Sequence, residues 1–387
     1  MSSPASGRRS AATPSCCAIS ATRISPKRSA NLLPLPYDWR TSVRSIVAAQ
    51  TPLIDRALER WRASSPANAD ARIVFIAHSM GGLVSRSYAT THRDEVRKII
   101  TLGTPSRGSI TALKVLTQGL GPNWGWLRDA TRRFAGSLPG LHQLLPSYPC
   151  IDADGNYENF AFLDADHPVN DLDAGMAAAG IAFLDELAAA ESADPGFRDR
   201  VHPLIGWQQD TLSSLRLRNG EPEFLNGYGE WELSGDGTVP HAGAVPKGTA
   251  LDATSLHGFP EQHGSLQANL AVRTEIIRLL KNAPPIVLRG EGVGVGVGLP
   301  DLLRQGDELV VEVTLPPVTR EAVAVVLGSG PSAVERRPTI AKDGTGSAVF
   351  PTMDPGVHTV TVRGVRPGSD LLPVTGTVTV WGSDWSA

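Results

Sequence analysis

The chain has 387 residues, 41% of them hydrophobic, with 36 Lys and Arg against 39 Asp and Glu and a net charge of −3. That length suits two domains. The near-neutral, mixed charge argues against nucleic acid or an anionic membrane as the main partner, and no apolar run approaches the ~20 residues that span a bilayer. The three cysteines, Cys16, Cys17 and Cys150, make no disulfide framework and no Cys-His metal spacing. The expectation is a cytoplasmic protein needing neither metal nor cofactor.

Residues 1–30 are rich in Ser, Ala, Arg and Pro and lack apolar periodicity, so they are expected to form a disordered tail. Pro14, Arg23, Pro26 and Lys27 interrupt any secretory apolar core. Residues 32–37 are predicted to be a short buried strand running into Pro36-Tyr-Asp-Trp-Arg40. The spacing of Val43, Ile46, Val47, Ile54, Ala57, Leu58 and Trp61 predicts an amphipathic helix that Pro52 should kink or split.

Arg72-Ile-Val-Phe-Ile-Ala-His-Ser-Met-Gly-Gly-Leu-Val84 then runs from an apolar strand through small residues into a helical pattern with Met80, Leu83, Val84 and Tyr88. A turn this sharp strains the central residue, so the positions two before and two after it must be small. Ala77 and Gly81 satisfy that. Ser79 would stand at the turn with its hydroxyl projecting beyond the strand ends, and the Met80 N–H would face a developing oxyanion. A Gly-rich turn with an idle serine is the bland alternative.

Lys98-Ile-Ile-Thr-Leu102 is predicted to be another buried strand, so the segment reads β-α-β and indicates a parallel sheet covered by helices. The alternation stops over about 104–200, which is expected to form a cap above the serine. Trp124, Trp126, Phe134, Leu144, Leu145 and Tyr148 there would line an apolar pocket or form the cap's own core. Residues 174–190 are helical by composition and are assigned to the cap. Residues 202–206 resume the sheet, a short strand is expected near 249–256, and Gln262-His-Gly-Ser-Leu266 opens a last helix with Leu266, Leu270, Ile277 and Leu280 on one face. After Pro284-Pro285 the alternating Gly and Val of 290–298 suggest a linker or a weak strand. Strand candidates at 309–315, 323–327, 347–350, 358–363 and 375–380 follow, the signature of a small all-β sandwich. The expected division is therefore a tail at 1–30, an α/β domain at 31–283, and an Ig-like β module at 284–387. A protein partner for that module is left open.

A serine hydroxyl needs an imidazole to take its proton, and the imidazole needs a carboxylate to fix its tautomer. Ser79, Asp236 and His263 occur in the chain order Ser…Asp…His used by α/β-hydrolases. Asp236 stands between two glycines, where backbone N–H groups can reach its carboxylate, and His263 stands on a loop before a helix. His257 is the second choice as base, His241 lies too near Asp236 in sequence, Asp252 is a weaker carboxylate, and His78 is structural.

At this point the chain resembles the lecithin:cholesterol acyltransferase family of α/β-hydrolases. The resemblance rests on Pro36-Tyr-Asp-Trp-Arg40, Ala77-His-Ser-Met-Gly-Gly82, Thr101-Leu-Gly-Thr-Pro105, Gly108-Ser109, Leu144-Leu-Pro146, Gly235-Asp-Gly-Thr-Val239 and His263. It implies Ser79 as nucleophile, Asp236 as orienting carboxylate, His263 as base, a lid over an acyl site, and lipid esters as substrates of hydrolysis or O-acyl transfer. The family also has an earlier strand whose loop gives a second oxyanion N–H. Only the tail precedes Leu32, so that donor is expected to be missing, and losing one such donor typically costs ~10²–10³ in rate. A hydrolase remnant acting as a binding protein is the rival from another class, and an amidase or peptidase on the same three residues is a third reading.

Overall fold

The computed structural model describes residues 31–382 except 120–125, 229–234, 251–255, 284–292, 301, 317–318, 320, 352 and 367. The tail at 1–30, Trp124, Asp252 and nearly all of the strand expected at 249–256 lie outside the described residues.

Residues 32–37 form no strand. Pro34 and Pro36 remove the N–H groups that a ladder would need, and the segment runs irregularly along the surface. Helix α1, Val43–Ala63, follows, capped by the Ser42 side chain accepting from the Ser45 N–H. Pro52 does not split it. Pro52 and Ala48, whose carbonyl loses its donor, are both exposed, so the missing bond lies on the solvent side of the helix.

Strand β1, Ile73–His78, helix α2, Gly81–Thr91, and strand β2, Val96–Leu102, form the expected β-α-β unit. Strands β3, Val201–Gly206, and β6, His257–Phe259, extend the sheet in the order β1-β2-β3-β6, all parallel. Side chains alternate across it. Ile99 packs with Ile54, Phe75, Tyr88 and Phe197 on one face, and Ile100 packs with Leu204, Phe259, Val272 and Ile276 on the other.

Between β2 and β3 lie α3, Ile110–Gln118, α4, Trp126–Gly136, and α5, Ala174–Ser192. Leu145 and Tyr148 are buried with Ile110, Leu113 and Leu215 in the cap's own core. A hairpin of β4, Ser214–Arg218, and β5, Glu221–Leu225, adds to this core. Asn219 and Gly220 turn it with φ of 55° and 81°, as a two-residue hairpin turn requires. Helix α5 packs on two sides, and its Ala177 and Ile181 join the cap core. Its Phe183, Leu184 and Leu187 pack against Val43 and Ile46 of α1 and Met80 and Leu83 at the serine turn. Glu191 accepts from Arg86 Nε at 2.6 Å, so the second half of α5 also joins the helical layer covering the sheet. Its apolar composition suits either place, and the helix occupies both.

Helix α6, Leu270–Leu280, starts after the Asn269 cap rather than at Gln262. That shifts its inward face to Val272, Ile276 and Leu279 and leaves Leu270 75% exposed.

The C-terminal part is an all-β sandwich. Its five-stranded sheet is ordered β11-β10-β13-β14-β8 and its three-stranded sheet β12-β9-β7. The strands are β7, Gly296–Gly298; β8, Leu302–Arg304; β9, Leu309–Thr314; β10, Val323–Leu327; β11, Val334–Arg336; β12, Thr345–Phe350; β13, Gly356–Gly364; and β14, Val374–Trp381. Alternate residues Val311, Val313, Val323, Val325, Val360, Val362, Val378 and Val380 meet around Phe350, the inward half of each period-two pattern.

Candidate active site

Ser79 occupies the turn between β1 and α2 with φ of 55°, a left-handed conformation for a residue carrying a side chain. The turn is held on both sides. The Ser79 N–H donates to the Leu102 carbonyl at 2.9 Å, and the Ser79 carbonyl accepts from Thr104 Oγ1 at 2.9 Å. A side chain on Gly82 would collide with Thr104, so Gly82 as well as Gly81 must be small. The Met80 N–H opens the first turn of α2, where amides have no intrahelical acceptor.

His263 stands in a short turn of helix just after β6, and its ring lies between the other two expected residues. Its Nε2 is 2.9 Å from Ser79 Oγ and its Nδ1 is 2.8 Å from Asp236 Oδ2. A carboxylate only accepts, so Nδ1 carries the proton. In the neutral ring Nε2 is then an acceptor, and the serine hydroxyl donates to it. Asp236 is 1% exposed, and its Oδ1 accepts from the Thr238 and Val239 N–H groups at 3.0 and 2.7 Å. The Gly237 N–H goes instead to Thr211 Oγ1. Ser79, Asp236 and His263, chosen by chain order, thus meet in one hydrogen-bonded line.

The other candidates take other places. His257 is exposed and faces Glu275 on α6 at 3.6 Å, and His241 is buried in a short helix, His241–Ala244. His78 Nε2 donates to the His263 carbonyl at 2.8 Å, and the two rings tilt against each other with centroids 4.7 Å apart. Burial first, then the neighbouring His263, push His78 down to about 4, so at neutral pH it adds no positive charge beside the His263 ring.

Gly103, in the Thr101-Leu-Gly-Thr-Pro105 motif, touches the site, a contact with no local sequence signal. It has φ of 55°, and a Cβ on it would stand 2.7 Å from Asp236 Oδ2 and 3.0 Å from His263 Nδ1. Only the absence of a side chain lets the chain leave β2 directly beneath the imidazole.

A cavity of ≈ 340 Å³ opens from Ser79 and is walled by Tyr37, Trp39, His78, Met80, Val115, Phe134, Ala135, Leu138, Leu141 and Leu144. Phe134 is thus a pocket residue, and Leu144 both lines the pocket and packs against the cap core. Burial pushes the Tyr37 phenol up to about 12, so it stays a neutral donor at ordinary pH. No group of three His, Cys, Asp or Glu gathers as a metal site among the described residues, and no described helix is long and apolar enough to cross a membrane.

A parallel sheet, a strained serine at a strand-to-helix turn and a cap over an apolar cavity define an α/β-hydrolase of the general class that hydrolyses or transfers acyl esters. Residues 21–172 match the family described as lecithin:cholesterol acyltransferase. Among solved structures, the mature form of a Bacillus licheniformis lipase, BlEst2, is similar at 18% identity over 64% of this chain and 75% of that one, with a TM-score of 0.32. An engineered protein is similar at 11% identity over 80% of this chain and 47% of that one, with a TM-score of 0.18. Comparison with curated proteins found no match.

Proposed function

We propose that this protein is a serine-dependent ester hydrolase or O-acyltransferase that takes lipid-like esters through an acyl-enzyme on Ser79. The observation that carries the reading is the continuous Asp236–His263–Ser79 hydrogen-bonded line ending at the mouth of an apolar cavity.

Ser79 Oγ attacks the ester carbonyl as its proton passes to His263 Nε2. Asp236, whose Oδ1 is oriented by two backbone N–H groups, stabilises the imidazolium. The carbonyl oxygen becomes an oxyanion beside the Met80 N–H. The C–O bond to the alcohol then breaks, and the leaving alkoxide takes the proton from Nε2. Water or an acceptor alcohol reverses the sequence, delivering its proton to Nε2 and releasing Ser79. Hydrolysis and transfer differ only in that second nucleophile. The apolar walls favour an acyl chain over a charged substrate.

A fluorophosphonate probe tests the reading. Labelling of the full chain that disappears in Ser79→Ala is the expected result. A folded protein that takes no label would overturn it in favour of a hydrolase-like binding protein, and amide turnover exceeding ester turnover would move the substrate class to amides.

A further inference from the structure

The β-sandwich meets the α/β domain at the two loops that carry Asp236 and His263. Glu261, two residues before His263, is 2% exposed. Its Oε1 accepts from the Thr375 N–H of β14 at 2.7 Å and from the Gln262 N–H at 3.0 Å. Its Oε2 accepts from Asn269 Nδ2 at 3.1 Å. Next to it, Gln262 Nε2 donates to the Val297 carbonyl of β7 at 2.8 Å. Strand β14 comes so near that a side chain on Gly376 would overlap Gln262.

The carboxylate loop is gripped in the same way. Gln209 is fully buried. Its Nε2 donates to the Val295 carbonyl at 3.0 Å, and its Oε1 accepts from the Val297 N–H at 3.1 Å. Its backbone N–H donates to the Gly235 carbonyl at 3.0 Å, and Thr211, two residues on, takes the Gly237 N–H at 2.8 Å. The residues on either side of Asp236 are thus tied through Gln209 and Thr211 to β7.

We propose that the β-sandwich is a support of the active site, with Glu261 as positioning residue: Glu261 and Gln262 register the His263 loop against β14 and β7, and Gln209 registers the Asp236 loop against β7. The inference rests on the hydrolase reading above. Ester chemistry needs the imidazole within a fraction of an ångström of its working place, and a misplacement of about 1 Å can cost ~10²-fold in rate. Here the loops carrying base and carboxylate share one external brace.

Glu261 cannot be replaced by its amide without loss. Asn269 Oδ1 caps α6 by accepting from the Ala271 and Val272 N–H groups, so its Nδ2 must face residue 261. A glutamine there sets an NH₂ group against either Asn269 Nδ2 or the Thr375 N–H. Burial raises the Glu261 carboxyl to about 6, which leaves it the ionised acceptor at neutral pH and above.

The test measures hydrolysis of a soluble p-nitrophenyl ester by the full chain, with kcat expressed per site titrated by fluorophosphonate. Glu261→Gln is expected to lower kcat per titrated site by about 10- to 100-fold with KM within about twofold. Gln209→Met, of similar volume and lacking both bonds, is expected to do the same should the first variant fold poorly. A merely structural contact would reduce the yield of titratable sites and the thermal midpoint while leaving kcat per site alone. Labelled wild type with kcat per titrated site unchanged in either folded variant overturns this inference alone, and an unlabelled wild type overturns it together with the hydrolase reading.

Discussion

Asp236 and His263 are joined twice: the Nδ1–Oδ2 contact at 2.8 Å is paired with a backbone bond from the His263 N–H to the Asp236 carbonyl at 2.7 Å. The backbone bond holds the two loops together whatever the charge of the side chains. It also makes the carboxylate replaceable without unfolding the site.

Asp236→Asn therefore tests tautomer control. The Thr238 and Val239 N–H groups demand an acceptor at Oδ1, so the amide NH₂ would face Nδ1. That forces the proton to Nε2, where it opposes the Ser79 hydroxyl. Ester turnover is expected to drop by ~10⁴ in kcat with little change in KM or in the thermal midpoint. A drop of less than tenfold would show that the imidazole does not depend on this partner.

Gly103→Ala tests how closely the exit of β2 is fitted to the site. The new methyl would press on Asp236 Oδ2 and His263 Nδ1 while holding a left-handed φ of 55°. We expect destabilisation of about 1–2 kcal/mol and a kcat loss near 100-fold, read by urea unfolding and ester assay on the same sample. Wild-type kcat in this variant would mean that the backbone yields there without disturbing the imidazole.

The serine turn, the three residues that meet there and most strands of the sandwich were legible because each carries a local signal: small residues around Ser79, glycines around Asp236, strict alternation in 309–315. Other features were not. Residues 32–37 look apolar enough for a strand, but Pro34 and Pro36 deny it the ladder. Helix α5 is so rich in Ala that its pattern does not choose a neighbour, and it packs on both the cap core and the helical layer. The brace between domains left no motif, since Glu261 and Gln209 reach mostly for backbone groups of β7 and β14, which any sequence supplies.

His78 contributes to the loss of stability in acid. Its folded value of about 4 lies below the ordinary 6.5, so the unfolded chain binds the extra proton between them. Stability from this group is complete above pH 6.5 and falls as pH drops toward 4, by about 3 kcal/mol. Glu261, raised to about 6 from 4.5, works the other way: its contribution is complete below pH 4.5 and lost as pH rises through 6. Comparing wild type with His78→Gln cancels the Glu261 term. Urea midpoints measured from pH 4 to 7 should slope less steeply in the variant, and parallel curves would rule out a neutral, buried His78 as the cause.

The cavity beside Ser79 is bounded by Val115 of α3, with Leu141 and Leu144 among its other walls. If an acyl chain lies there, shortening the cavity should penalise long chains and spare short ones, because a pocket discriminates by about 1–3 kcal/mol per methylene that it cannot hold. Val115→Phe adds a ring where the wall is already packed on its outer side against the cap core, so the new volume goes inward. The ratio of kcat/KM for p-nitrophenyl octanoate over acetate is expected to fall by about tenfold or more, with acetate turnover nearly unchanged. An unchanged ratio would place the acyl chain elsewhere and leave the leaving alcohol as the occupant of this cavity.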